Sequence, residues 1–182
     1  AQSRKISTAW HPDWAMKTQQ AEPLKLTTWV YNGQPDPFNG NQIANCVTPS
    51  YGASTTPTLP DGKPIVVLCK LVEQPTVDAD GSQGMSASVD TAEVSRTLKY
   101  TYTQYGQVLT SVDARNNTTT YAYYQDTAFT GTAPNEVGHY KGDLHTVTNA
   151  KGHVTTYTQY DRAGKPLSMT DPNGLVSTYA YW

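Results

Sequence analysis

Gly164 to Tyr179 reads GKPLSMTDPNGLVSTY, and two earlier stretches align with it without gaps: Gly106 to Tyr121, GQVLTSVDARNNTTTY, and Gly142 to Tyr157, GDLHTVTNAKGHVTTY. Each 16-residue window opens with Gly106, Gly142 or Gly164 and closes with Thr before Tyr121, Tyr157 or Tyr179. The eighth position is Asp113, Asn149 or Asp171. The second and third windows start 22 residues apart (142 to 164) and the first and second 36 apart (106 to 142), so about 14 residues are inserted between the first two. Self-similarity of this kind implies a stacked architecture rather than a single-core globule.

Each window reads as a β-hairpin. A strand of about six residues follows the glycine, as in Gln107-Val108-Leu109-Thr110-Ser111-Val112. A turn comes next, built on Asp113-Ala114-Arg115-Asn116-Asn117, Asn149-Ala150-Lys151-Gly152 or Asp171-Pro172-Asn173-Gly174. Pro172 presets φ for the second turn position, and Gly174 supplies the positive φ that ends the turn. A β-branched and aromatic strand then returns, as in Val176-Ser177-Thr178-Tyr179-Ala180-Tyr181. Tyr160-Asp161-Arg162-Ala163-Gly164 makes a second tight turn that links one hairpin to the next.

Tyr160-Asp161-Arg162-Ala163-Gly164-Lys165-Pro166-Leu167, followed by Asp171 and Gly174, resembles the YD repeat of Rhs-family bacterial proteins. Gln104-Tyr105-Gly106-Gln107-Val108-Leu109 resembles a shortened version without the Asp. The resemblance covers 98–182 and extends more loosely over 1–31, through Trp10-His11-Pro12 and Ala21 to Thr28. In that family a spiral β-sheet forms a hollow shell around a toxic C-terminal domain, delivered by type VI secretion or within toxin complexes. Asp171-Pro172-Asn173-Gly174-Leu175 also resembles the motif with which Rhs cores end, beside the toxin release site. Here it fills the ordinary turn slot of the third window, so the repeat accounts for it.

Composition supports a sheet whose faces are not fully dry. There are 13 Tyr against 2 Phe, whereas a compact sandwich calls for more Val, Ile, Leu and Phe. A net charge of −2 gives no reason to expect nucleic acid or an anionic membrane as partner. No apolar run is long enough to span a bilayer, and Ala1-Gln2-Ser3-Arg4-Lys5 is no signal peptide. The chain opens inside a repeat-like strand and ends at Tyr181-Trp182, where another turn is due, so a longer parent is expected.

Upstream of the windows, alternation predicts strands at Ile6, Thr8 and Trp10 and again at Leu24, Leu26, Thr28 and Val30, joined through a short helical turn at 13–17. Trp10, Trp14 and Trp29 are expected to pack together, with a sugar-binding aromatic platform as the alternative. Residues 32–64 are loop chemistry, and 65–72, bounded by Pro64 and Pro75, read as a buried strand. A strand from Arg96 to Thr103 places Leu98, Tyr100 and Tyr102 on one face, and 125–141 reads as a surface loop. The expected organisation is therefore 1–31 as N-terminal strands, 32–97 as a loop-rich insertion with its buried strand, and 98–182 as hairpin repeats.

Other residue sets point to little chemistry. Cys46 and Cys69 fit no zinc pattern; they are either a disulfide or two separate thiols. His11, His139, His145 and His153 form no HExxH pattern, although His145 and His153 share a hairpin. Asp78-Ala79-Asp80-Gly81-Ser82 resembles the opening of a calcium loop but lacks the closing Glu, so it reads as a turn. Asn116-Asn117-Thr118 matches a glycosylation acceptor and reads as turn composition. No catalytic, cofactor or metal residues are assigned.

The expected fold is all-β: antiparallel hairpin repeats forming a spiral, solenoid-like sheet segment with long loop insertions. The repeat glycines, the Asp or Asn positions and the closing tyrosines are its scaffold residues. The expected role is a non-catalytic wall segment of an Rhs shell. Its partners are the toxin domain of the same parent and neighbouring repeats, and the parent is made in the cytoplasm and exported or surface-displayed. The alternative is a surface β-module that binds a glycan or protein through loops 32–64 and 125–141. Open sheet edges allow self-association.

Overall fold

A computed structural model describes residues 3–49, 56–132 and 135–181. Ala1, Gln2, the 50–55 part of the long loop, Ala133, Pro134 and the terminal Trp182 lie outside the described residues. Among the described residues every strand pairing is antiparallel, the isolated parallel bridge of Val47 to Tyr102 apart, and one turn of 3-10 helix stands at Gly84–Ser86. It divides into two compact units, Ala1–Asn116 and Asn117–Trp182, which does not coincide with the expected boundaries at 31/32 and 97/98.

The first unit is a sheet of β1 (Ser7–Trp10), β2 (Lys17–Glu22), β3 (Lys25–Tyr31), β6 (Leu68–Pro75), β7 (Arg96–Tyr102) and β8 (Val108–Val112), paired in that order. A two-stranded pair, β4 (Pro35–Asp36) and β5 (Gln42–Ile43), interrupts the chain between β3 and β6. β6 pairs with both β3 and β7, which is why 32–97 cannot be cut away from its flanks. The buried strand starts at Leu68 rather than at residue 65. Ile65 and Val67 spend their carbonyls on Asn32, through Nδ2 (3.0 Å) and N–H (2.9 Å).

β2 is an additional strand. Its sequence, Lys-Thr-Gln-Gln-Ala-Glu, carries no apolar alternation, but β1 and β3 flank it and satisfy its backbone on both sides. No helical turn forms at 13–17; these residues bend into β2. Trp10 and Trp14 are 57 % and 41 % exposed, so the expected tryptophan packing is replaced by a core of Leu26, Val30, Tyr31, Val47, Val72 and Tyr102.

The loop after β3 is stitched to this core. Val47 is 3 % exposed and bridges Tyr102 in parallel fashion, while Cys46 is bonded to Cys69 of β6. Asn32 Oδ1 accepts the Cys46 N–H at 3.1 Å, and Cys46 C=O accepts the Tyr102 N–H at 2.8 Å. Lys70 forms an ion pair with Asp36, which anchors the base of the β4–β5 pair.

In the second unit, β9 (Thr118–Tyr123) pairs with β12 (Leu144–Thr148), β12 with β13 (Val154–Tyr160), β13 with β14 (Pro166–Thr170), and β14 with β15 (Val176–Thr178). The second and third windows are therefore hairpins, β12–β13 and β14–β15. The strands of the first window, β8 and β9, fall in separate units. The 125–141 stretch departs from its reading as a loop. It contains the hairpin β10 (Ala128–Thr130) and β11 (Val137–His139), and Gly138 bridges Tyr160 of β13. A Cβ on Gly138 would lie 2.0 Å from Ala128 O, so only glycine permits this approach. Arg162 covers Phe129 at 4.0 Å and forms a two-pronged ion pair with Glu136 at 2.7 and 2.9 Å, holding the added hairpin down.

With Cys46 and Cys69 bridged, no thiol titrates in denaturant until reductant is added. The 23-residue separation sets the loop closed in the unfolded chain, and reduction lowers the first unit's stability by roughly 3 kcal/mol in urea unfolding.

Candidate functional site: the repeat turns and tyrosine stitches

Five turns share one construction: Thr103–Gln107, Asp113–Asn117, Asn149–His153, Asp161–Lys165 and Asp171–Leu175. In each, the fourth residue donates its N–H to the first residue's carbonyl at 2.9–3.0 Å. That fourth residue has positive φ: +79° at Gly106, +62° at Asn116, +79° at Gly152, +76° at Gly164 and +85° at Gly174. The first residue's side-chain oxygen accepts the third residue's N–H, at 2.8 Å from Arg115, 2.9 Å from Lys151, Ala163 and Asn173, and 3.2 Å from Tyr105. In four turns it also accepts the fifth residue's N–H: Gln107, His153, Lys165 and Leu175 at 2.8–3.2 Å. This is a type I turn closed by a left-handed residue, the usual three-residue hairpin loop.

The glycine and aspartate of the sequence windows are thus two halves of one device. Gly106 and Gly164 close the turns between windows, whereas Asp113, Asn149 and Asp171 open the turns within them. Gly142 belongs to a different turn, in which Asp143 Oδ2 accepts the Tyr140 N–H at 2.7 Å and Asp143 N–H donates to Tyr140 C=O. The Asp171 turn has the same bonds as the Asp161 turn, in keeping with its reading as a repeat turn. Asp78 does likewise elsewhere: its carboxylate accepts the Gly81 and Gln83 N–H groups at 3.1 and 3.0 Å, in keeping with its reading as a turn.

The closing tyrosines mark register. Tyr121 faces Val147 and Tyr157 faces Met169, while the Tyr179 N–H donates to Leu167 C=O at 2.9 Å. The tyrosines that tie strands together through their hydroxyls are others. Tyr124 donates to Tyr157 C=O (2.8 Å), Tyr160 to Leu144 C=O (2.5 Å) and Tyr181 to Pro166 C=O (3.0 Å). Tyr102 does the same to Leu68 C=O at 2.8 Å. Tyr160 is almost wholly buried, and burial, reinforced by Asp143, pushes its phenol well above the usual tyrosine range.

The histidines take no common position. Tyr124 lies between His139 and His145, with ring centroids at 3.6 and 4.3 Å, whereas His153 bonds Asn149. His145 and His153, which share the hairpin, therefore have different partners. Among the described residues no three His, Cys, Asp or Glu side chains are grouped to hold a metal ion, and no helix is long and apolar enough to cross a membrane.

Asp161→Ala removes both side-chain acceptor bonds and costs about 1 kcal/mol of second-unit stability in urea unfolding. Gly164→Val costs about 1–2 kcal/mol through backbone strain alone, since a Cβ there meets nothing within 4 Å. The buried Tyr160 phenol adds an alkaline limb. Its folded pKa is raised, so its contribution is complete below the unfolded value of about 10 and is lost as pH rises beyond it. Tyr160→Phe flattens the fall in stability seen by urea unfolding between about pH 9 and about pH 11.

Residues 140–178, running from the Tyr140 turn to the end of β15, match the family described as RHS Repeat. No curated protein matches the chain. That segment carries an Rhs-type repeat.

Proposed function

We propose that this segment is a non-catalytic wall element of an Rhs shell enclosing a C-terminal toxin or effector domain of the same parent chain. One observation carries the reading. In the second unit every strand from β9 through β15 is half or fully exposed along most of its length, and Tyr160 and Ser168 are the buried residues among those described. A sheet that packs no thick core on either face is suited to separating two wet compartments. Turns that satisfy their own backbone groups let such a sheet extend sideways hairpin by hairpin. The Cys46–Cys69 bridge supports an oxidising destination, consistent with export through a bacterial secretion system and a role in competition between bacteria.

A second reading, ligand binding beside the 32–64 loop, draws on Trp14, which lines a recess with His11, Gln34 and the Asp13–Lys63 ion pair. This recess holds about 90 Å³, and a second beside the same loop, lined by Ile43, Ala44 and Pro57, about 180 Å³. Small-molecule sites run to roughly 300 Å³ or more, and the enclosure reading therefore leads.

The test is the parent protein. Its gene carries many further repeats and a variable downstream domain, and that domain resists protease while the shell is intact. Paired Gly164→Val and Gly174→Val substitutions expose it to digestion. A reading frame without further repeats, or a downstream domain digested equally fast in both forms, overturns enclosure.

A further inference from the structure

Asn-Gly occurs three times in the chain, at Asn32-Gly33, Asn39-Gly40 and Asn173-Gly174. In each, the missing Cβ leaves the glycine nitrogen open to the side-chain amide of the residue before it. The sequence makes the three equivalent, and the fold separates them. Asn32 is 3 % exposed; its Nδ2 donates to Ile65 C=O at 3.0 Å and its Oδ1 accepts the Cys46 N–H at 3.1 Å. The Gly33 N–H donates to Ala44 C=O at 2.8 Å. Asn173 is exposed, but the Gly174 N–H is held on Asp171 C=O at 3.0 Å, the closing bond of its turn.

Asn39-Gly40 lies in the loop that joins β4 to β5, and both residues are exposed. Among the described residues no acceptor meets the Gly40 N–H, whereas the N–H groups on either side of it, from Asn39 and Asn41, both donate to Asp36 C=O at 3.0 Å. A Cβ built on Gly40 meets nothing within 4 Å, so the space beside its nitrogen is open. The Asn39 side-chain amide donates to Gln42 Oε1 at 3.1 Å, a bond between two exposed side chains. At this one of the three sites the nitrogen is free and the amide is reachable.

We propose that Asn39 is a modification site, converted to Asp and isoaspartate by its own chain without an enzyme. The Gly40 nitrogen gives up its proton to water and attacks Asn39 Cγ. The new N–Cγ bond closes a cyclic imide as the Cγ–Nδ2 bond breaks and Nδ2 leaves as ammonia. Water then adds across one of the two imide C–N bonds, giving Asp or, with the main chain rerouted through Cβ and Cγ, isoaspartate. Either product adds a negative charge and loses the donor that Asn39 offers to Gln42. Isoaspartate also lengthens the path between Asp36 and Gln42, the facing residues of the β4–β5 pair. The damage stays at the loop tip, because the Asp36–Lys70 ion pair and the Cys46–Cys69 bridge still pin the base.

The whole 182-residue chain is incubated in mildly alkaline buffer and followed by peptide mapping in a mass spectrometer, with isoaspartate detected by enzymatic carboxyl methylation. The peptide holding Asn39 takes on the mass of an amide-to-acid conversion first. Asn173 follows about tenfold more slowly, the factor that one retained hydrogen bond supplies, and Asn32 is slowest. In urea with reductant the preference for Asn39 disappears. In the converted chain hydrogen exchange quickens at the Asn41 and Gln42 amides, which donate to Asp36 and Asn39 carbonyls, and stays slow at Cys46. Asn39→Gln keeps an amide but needs a larger, slower-forming ring, and it abolishes conversion at that position. Conversion of Asn173 or Asn32 as fast as Asn39 in the folded chain overturns the proposal. So does an Asn39 that stays intact while the unfolded chain converts, or the same order of sites in urea.

Discussion

A single side-chain oxygen that captures two backbone N–H groups is the constraint on which the repeat depends. A hairpin loop of this kind must reverse the chain within three residues and leave few polar groups unpaired. The left-handed fourth residue supplies the reversal, and the Asp, Asn or Thr at the first position accepts the donors that the reversal strands. Because all of these bonds lie within five consecutive residues, each turn forms without help from distant sequence. The strands have only to find their neighbours, and the turn length fixes how they meet.

The tyrosines address a different problem. A sheet with two half-wet faces gains little from apolar burial, so its strands need cohesion of another kind. Tyrosine covers neighbouring backbone with its ring and ends in a donor, and Tyr102, Tyr124, Tyr160 and Tyr181 each spend that donor on a carbonyl elsewhere in the sheet. At these positions phenylalanine would provide the ring without the tie.

The turns were legible in the sequence because their chemistry is local: Asp171-Pro172-Asn173-Gly174 states its own conformation. The hairpins of the second and third windows followed from them. What escaped was set by tertiary pairing. β2 carries no apolar period because its place between β1 and β3 defines it. The hairpin at 128–139 depends on Gly138 meeting Ala128 and on Arg162 covering Phe129, contacts that no periodicity announces. Tyr157 and Tyr160 look interchangeable on paper, yet the register shifts between them leave Tyr160 buried and Tyr157 half exposed. The two cysteines were visible as a possible pair, but their partnership depends on the loop being drawn to Tyr102, far away in sequence.

The self-sufficiency of the turns has a consequence for how such a gene changes. A window can be duplicated, lost or exchanged between copies without breaking bonds in its neighbours, because each carries its own closure and presents the same strand to the next. The hairpin at 128–139 illustrates this tolerance. It lengthens the spacing from 22 to 36 residues between window starts, yet β12 still meets β9 with Val147 facing Tyr121. Recombination within a lineage can thus alter chain length in whole units while folding remains intact, so that the repeat count becomes a heritable dimension.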